Sequence, residues 1–276
     1  MELHHIRRGT GTPLLLLHGI GGSWRSWNPV LDALAARREV IALDLPGHGD
    51  TPALPPGTNT FYALADAVES WLRAQDLVGV DCVGSSMGAR LVLELARRGV
   101  LGAVVSLNPG GFWEGWQVPF FYYSVASSVR LVRLLQPVMP ALTGSAVGRT
   151  LLMAQFSARP WAVPGQVALD EMRSFAHTPS FDELLRNLAY GQKQEGAPRG
   201  RIRHPLVIGW GRQDRVVFPS QAAKATAAFP DAALYWFDDC GHFPHWDQPA
   251  ETVQLILSVT GREGVRIPEA VFARVK

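Results

Sequence analysis

Val80-Asp81-Cys82-Val83-Gly84-Ser85-Ser86-Met87-Gly88 runs directly into Ala89-Arg90-Leu91-Val92-Leu93-Glu94-Leu95-Ala96. The first part is a short apolar run that breaks at glycine, as a buried strand does, and the second has the apolar spacing of a helix. Between them, Gly84-x-Ser86-x-Gly88 sets small residues on either side of Ser86. The chain can therefore turn sharply, lift the Ser86 Oγ clear of the backbone, and point the N-terminal amides of the following helix at it. Ser86 is nominated as a nucleophile. Alone, such a pentapeptide is a plain turn in many chains, so its weight depends on what the rest of the chain supplies.

Working outward, strand-like and helix-like runs alternate: Leu14–Leu17, Trp27–Ala36, Val40–Leu43, Tyr62–Ala74 and Val80–Val83 upstream, then Ala103–Leu107 after the helix that follows Ser86. This rhythm predicts a doubly wound, mostly parallel α/β sheet. It stops at Asn108-Pro109-Gly110-Gly111. From Phe112 to about Pro198 the chain is helix-like, aromatic and punctuated by prolines at 119, 137, 140, 160 and 164. The alternation then resumes with Leu206–Gly209, Gln221–Ala228, Ala233–Phe237 and Ala250–Val259. The expected division is a core of residues 1–111 and 199–276, with a helical cap inserted over 112–198. The tail from Gly261 to Lys276 carries no pattern.

A serine hydroxyl needs a base to take its proton and a carboxylate to hold that base in the right tautomer. Pro205-Leu206-Val207-Ile208-Gly209-Trp210-Gly211-Arg212-Gln213-Asp214 is a strand emptying into a glycine-containing loop, at the sheet end where open α/β proteins place their sites. Asp214 is the preferred acid, against the alternative of a surface or capping aspartate. Ala233-Leu234-Tyr235-Trp236-Phe237-Asp238-Asp239-Cys240-Gly241-His242 repeats the pattern, and His242 is preferred as base over His245. Asp238 and Asp239 compete with Asp214 but read as solvated loop charges. Asn108 stands where some enzymes of this type carry their acid, and an amide cannot stabilise an imidazolium as a carboxylate does.

Donors must also face the oxygen that becomes negative. The backbone N–H of Met87 is one, and the loop His18-Gly19-Ile20-Gly21-Gly22-Ser23 supplies the other, assigned to Ile20. His18 reads as a structural residue of that loop. A dinucleotide site over the same loop, with Asp44 as ribose acid, would need its third glycine at position 24, which is Trp24.

Composition narrows the classes further. A chain of 276 residues, 47% hydrophobic, can bury a sizeable core. A net charge of +2 without a basic, aromatic-interleaved run gives no footprint for nucleic acid. Leu14–Leu17 is too short for a signal core and no apolar run reaches membrane-spanning length, so a cytoplasmic location is the default expectation. Cys82 and Cys240 suggest neither a disulfide framework nor a metal site. The expected partner is a small-molecule substrate; the oligomeric state is not legible.

Together these residues resemble the α/β-hydrolase fold superfamily: His18-Gly19, Asp44-Leu45-Pro46-Gly47-His48-Gly49, Gly84-Ser85-Ser86-Met87-Gly88, Asp214 and Gly241-His242. The resemblance covers nearly the whole chain. It implies an eight-stranded, mostly parallel sheet, a helical cap inserted after the sixth strand, and chemistry that uses no cofactor. Leu3–Arg7 leaves room for the family's second strand but hardly for its first, so the sheet is expected to be one strand short.

Serine at position 86, where the haloalkane dehalogenases and epoxide hydrolases of this fold have aspartate, points to a serine hydrolase. Its scope is an ester, thioester, lactone or activated carbon–carbon bond in a medium-sized, apolar substrate. Candidate substrate contacts are Arg90, Trp113, Trp116, Phe120 and Trp210. Leu45-Pro46-Gly47-His48-Gly49 and Arg90 also resemble the menaquinone-pathway lyase of the fold, which eliminates pyruvate. A non-catalytic receptor or scaffold is a third reading. Arg90 is expected to face either Glu94, one turn along its helix, or a substrate carboxylate.

Overall fold

The computed structural model describes residues 1–261; the tail beyond lies outside them. Its sheet is built from β1 (His5–Arg8), β2 (Pro13–Leu17), β3 (Glu39–Leu43), β4 (Val80–Ser85), β5 (Leu101–Leu107), β6 (Leu206–Gly211) and β7 (Ala233–Phe237). The spatial order is β1-β3-β2-β4-β5-β6-β7. Only β1 is antiparallel, pairing His5 with Leu43. Among the described residues there are thus seven strands, and the stretch ahead of the Gly9-Thr10-Gly11 turn makes β1 alone.

Leu14 to Leu17 show why both faces of this sheet must be covered. Successive side chains of a strand point to opposite faces. Leu15 and Leu17 accordingly join one apolar cluster and Leu14 and Leu16 another, all four with zero exposure. The second cluster is closed by α1 (Asn28–Ala35) and α11 (Pro249–Thr260). The first is closed by α2 (Phe61–Ala74) and α3 (Met87–Arg98). The smaller helices α9 (Ala222–Ala228) and α10 (Pro244–Asp247) lie between β6 and α11 in sequence.

Between β5 and β6 come five helices: α4 (Gln117–Leu134), α5 (Met139–Gly144), α6 (Ala146–Met153), α7 (Gly165–His177) and α8 (Phe181–Tyr190). On α4, Phe121, Val125 and Val129 recur every four residues and are buried, while Phe120 and Tyr123, and Trp116 just before the helix, are exposed. Helix α8 ties this segment to the sheet layer. The Glu183 carboxylate accepts from Asn59 N and Nδ2, both at 2.9 Å, and Asn187 Oδ1 accepts from Phe61 N at 2.8 Å. The first turn of α2 therefore has one of its orphan amides satisfied from the neighbouring segment. Among the described residues no helix is long and apolar enough to cross a membrane.

Candidate active site

Ser86 sits between β4 and α3 with φ 57° and ψ −113°, a conformation that non-glycine residues rarely adopt. Two glycines make room for it. A Cβ on Gly84 would stand 2.1 Å from the Gly88 carbonyl oxygen, and one on Gly88 would stand 2.1 Å from that of Leu17. The turn is fixed from outside as well, since Ser86 N donates to Leu107 O at 2.9 Å. Ser85 points elsewhere: it is buried, and its Oγ has no partner among the described residues.

Three strand ends meet at Ser86. His242, beyond β7, turns its Nε2 to Ser86 Oγ at 2.8 Å and its Nδ1 to Asp214 Oδ2 at 2.8 Å. Asp214, beyond β6, is buried, and its other oxygen accepts from Val216 N at 2.8 Å and Val217 N at 3.0 Å. With Nδ1–H donating to the carboxylate, Nε2 is left as the acceptor for the serine proton. Asn108, at the end of β5 with φ 52°, donates its Nδ2 to Asp214 Oδ2 at 2.5 Å and to Gly241 O at 3.3 Å. Read as a replacement acid, Asn108 has no part in the site; its role here is to donate to the acid itself.

The His242 loop is clamped by a second residue without an evident signal in the sequence. Asp247 accepts from Gly241 N at 2.7 Å and Ala158 N at 2.9 Å, and also bonds the Ser157 hydroxyl. His242 N donates to Phe156 O at 2.8 Å. His245 is buried against Trp27, ring centroids 4.8 Å apart, and neither ring nitrogen has a partner among the described residues. Burial lowers its pKa to about 3, which keeps it neutral. Asp238 and Asp239 lie on the exposed side, pairing with Arg212 and Gln213.

The loop after β2 is braced by His18. Its Nδ1 donates to Gly19 O at 2.7 Å and its Nε2 accepts from Leu45 N at 3.0 Å, a neutral ring whose pKa burial lowers to about 4. Asp44 is likewise consumed locally. It accepts from Trp24 N at 2.7 Å and Asp50 N at 3.1 Å, and faces His4 Nδ1 at 2.7 Å, so both carboxylate oxygens are engaged within the loops around it. The N–H groups of Ile20 and Met87 have no acceptor among the described residues.

Ser86, His242 and Ile20 line a narrow chamber of about 20 Å³ whose apolar wall includes Phe121, Val125, Val129, Phe156 and Phe175. The substrate contacts expected from the sequence are placed elsewhere. Trp116 and Phe120 are exposed, 65% and 40%, while Trp210 is fully buried with Nε1 donating to Val217 O at 3.1 Å. Trp113 stacks on Phe121 at 4.1 Å but does so from outside the chamber. Arg90 is buried yet lines a different cavity. Among the described residues Glu94 forms no ion pair with it, its carboxylate being held by Arg97 and Arg98 at 2.8 Å each.

Residues 14–255 match the model of the alpha/beta hydrolase family, and the chain belongs to that family. It is 29% identical over 274 residues to an uncharacterised protein of Mycobacterium tuberculosis, covering 92% of this chain and 78% of that one. It is 26% identical over 263 residues to the 2-hydroxy-6-oxo-6-phenylhexa-2,4-dienoate hydrolase of Burkholderia cepacia, covering 89% and 86%. Among solved structures, a thermophilic esterase from Thermogutta terrifontis superposes with a TM-score of 0.72 at 20% identity, over 92% and 91% of the two chains, a likeness of fold.

Proposed function

We propose that this chain is a serine hydrolase in which Ser86 is the nucleophile, His242 the base and Asp214 its orienting acid. The observation that carries the reading is the continuous contact from Asp214 Oδ2 through the His242 ring to Ser86 Oγ, with both links at 2.8 Å. In the first half-reaction Ser86 Oγ bonds to the substrate carbonyl carbon while its proton passes to His242 Nε2. The carbonyl oxygen, now negative, lies toward the N–H groups of Ile20 and Met87. Breakdown of the tetrahedral intermediate gives that proton to the leaving group and forms an acyl-enzyme. Water, deprotonated by the same nitrogen, then frees the acid and restores the serine.

The chamber wall favours an apolar acyl group on an ester or thioester carbonyl. It has room for little more than a water molecule as it stands, so access requires the wall formed by α4 and α7 to move. Residues 112–198 accordingly act as a cap over a core of 1–111 and 199–276. Arg90 does not line the Ser86 chamber, so no observation favours the pyruvate-eliminating lyase. Turnover of p-nitrophenyl esters of graded chain length, compared with a pyruvate-release assay on a dicarboxylic cyclohexene substrate, tests this reading. Ester turnover that is lost in Ser86→Ala supports it, and pyruvate release without ester turnover overturns it.

A further inference from the structure

Helix α4 is apolar on two faces. Its inner face, with Phe121, Val125 and Val129, helps to wall the Ser86 chamber. Its other face points to solvent. At about 3.6 residues per turn, Trp116, Phe120, Tyr123, Ser127, Leu131 and Leu134 fall within an arc of about 100°, on the side opposite Phe121, Val125 and Val129. All six are exposed, and the five large apolar ones range from 40% at Phe120 to 75% at Leu134. At ~1.5 Å per residue the stripe runs for ~27 Å. A helix that is apolar all round is ordinarily covered all round, and the outward side of this one has no cover among the described residues.

The patch extends beyond the helix and carries a sign. Phe218, from the connection between β6 and α9, packs on Trp116 and Phe120 with ring centroids 5.4 and 5.2 Å apart. On the other flank Tyr123 meets Tyr122 at 5.1 Å, and Tyr122 meets Tyr190 at 5.3 Å. Among the described residues twelve large apolar or aromatic side chains are exposed, and ten of them lie from Trp116 to Tyr190, so the exposure belongs to the helical segment and not to the sheet layer. Arg130 is exposed on the same stripe and forms no ion pair among the described residues. Residues 115–169 hold four arginines and no aspartate or glutamate. Two nearby carboxylates are already neutralised, Asp182 by Arg133 at 2.9 Å and Glu114 by Lys224 at 2.7 Å.

We propose that the outward face of α4 is a docking surface for an anionic lipid layer, on which the protein lies without spanning it. The composition of the stripe selects this occupant. Tryptophan and tyrosine join an apolar ring to a polar edge and favour the boundary between headgroups and acyl chains, while phenylalanine and leucine enter the chains. Arg130 supplies the attraction to anionic headgroups. A second copy of this chain, set on the same stripe, would bring more arginine and no carboxylate to meet Arg130. The docking does not depend on the catalytic reading of Ser86, although the inner side of the same helix walls that chamber.

The full chain is mixed with vesicles of phosphatidylcholine, with and without phosphatidylglycerol, and the bound fraction is read by co-sedimentation, with the mass of the free protein measured by light scattering. The parent protein should bind the anionic vesicles, bind the neutral ones far more weakly, and lose affinity in high salt, where exposed charges are screened. Leu131→Glu combined with Leu134→Glu should weaken binding by at least ~10-fold, since two charges replace two apolar side chains that enter the layer. Arg130→Gln should weaken it by ~5-fold on anionic vesicles alone. All three positions are exposed, and melting curves that match the parent show that the variants fold. Val78→Glu, at an exposed apolar residue ahead of β4 and away from α4, should leave binding unchanged. The proposal is overturned by no co-sedimentation with anionic vesicles up to ~1 mM lipid, by equal binding to neutral vesicles, by parent-like binding of the Leu131 and Leu134 double variant, or by equal loss in Val78→Glu. It is also overturned by a parent dimer that falls to a monomer in the double variant, which would make a second copy the occupant.

Discussion

Asn108 and Asp214 lie 106 positions apart in the chain, yet the amide of one donates to the carboxylate oxygen of the other that also faces His242, at 2.5 Å. Asp214 Oδ2 thus has two donors and Oδ1 has two more from the backbone. A carboxylate saturated in this way cannot swing, and the imidazole it holds keeps Nε2 on Ser86. Asn108 is a positioning residue in this account.

Asn108→Ala should therefore lower kcat by ~10–100-fold with little change in KM, the equivalent of a hydrogen bond to a charged group. Asn108→Asp should be worse, because a second carboxylate would press against Asp214. A structural role alone would shift the melting temperature without separating kcat from KM, so both are measured.

The chamber wall makes a prediction on substrate length. Val129 faces inward from α4. Val129→Phe should depress kcat/KM for hexanoyl esters relative to acetyl esters by about 10-fold, and Val129→Ala should shift preference the other way, within the range that a methylene or two commands in an apolar pocket. Identical length profiles in all three proteins would show that the acyl group lies elsewhere.

Glu171, on α7, is buried against Ser26, and desolvation raises its pKa to about 8. Folded protein holds that proton where unfolded chain has released it, so stability falls as pH rises from about 4.5 toward 8 and is level beyond. Glu171→Gln should remove this slope and raise the melting temperature at pH 8. Melting curves between pH 5 and 9, compared with the parent protein, check it.

The opposite slope comes from His18, His48 and His245, whose burial lowers their pKa values to about 4, 3 and 3. Unfolded chain takes up protons below about 6.5 that the folded protein refuses. Each ring therefore removes up to ~1.4 kcal/mol per pH unit on acidification. His245→Phe, which loses two unpartnered nitrogens, should flatten the acid limb of the stability profile. An unchanged limb would mean that His245 is hydrated.

Much of the frame was legible because each strand breaks abruptly into a polar or glycine-rich turn, as at Gly84, Gly211 and Gly241. The alternation of β and α runs places those breaks at one end of the sheet. The chamber wall was not legible. Trp116 stands one position before the first residue of α4 and Phe120 one position before Phe121, and only packing against α7 and α8 decides which face turns inward. Aromatic richness alone could not tell them apart. The Arg90–Glu94 spacing was a sound i, i+4 pairing, but Glu94 has Arg97 and Arg98 three and four residues on, and these bind it more directly. The bond from Asn108 to Asp214 leaves no signal in the sequence, because the two residues meet only where the ends of β5 and β6 lie side by side.

The central claim is that Ser86 is the atom-donating nucleophile, and a fluorophosphonate label read by peptide mass spectrometry tests it most directly. One phosphonyl group should map to Ser86, labelling should vanish in Ser86→Ala and persist in Ser85→Ala, and kcat on esters in Ser86→Ala should fall by ~10⁵–10⁶. A label that stays in Ser86→Ala and disappears in Ser85→Ala would contradict the account.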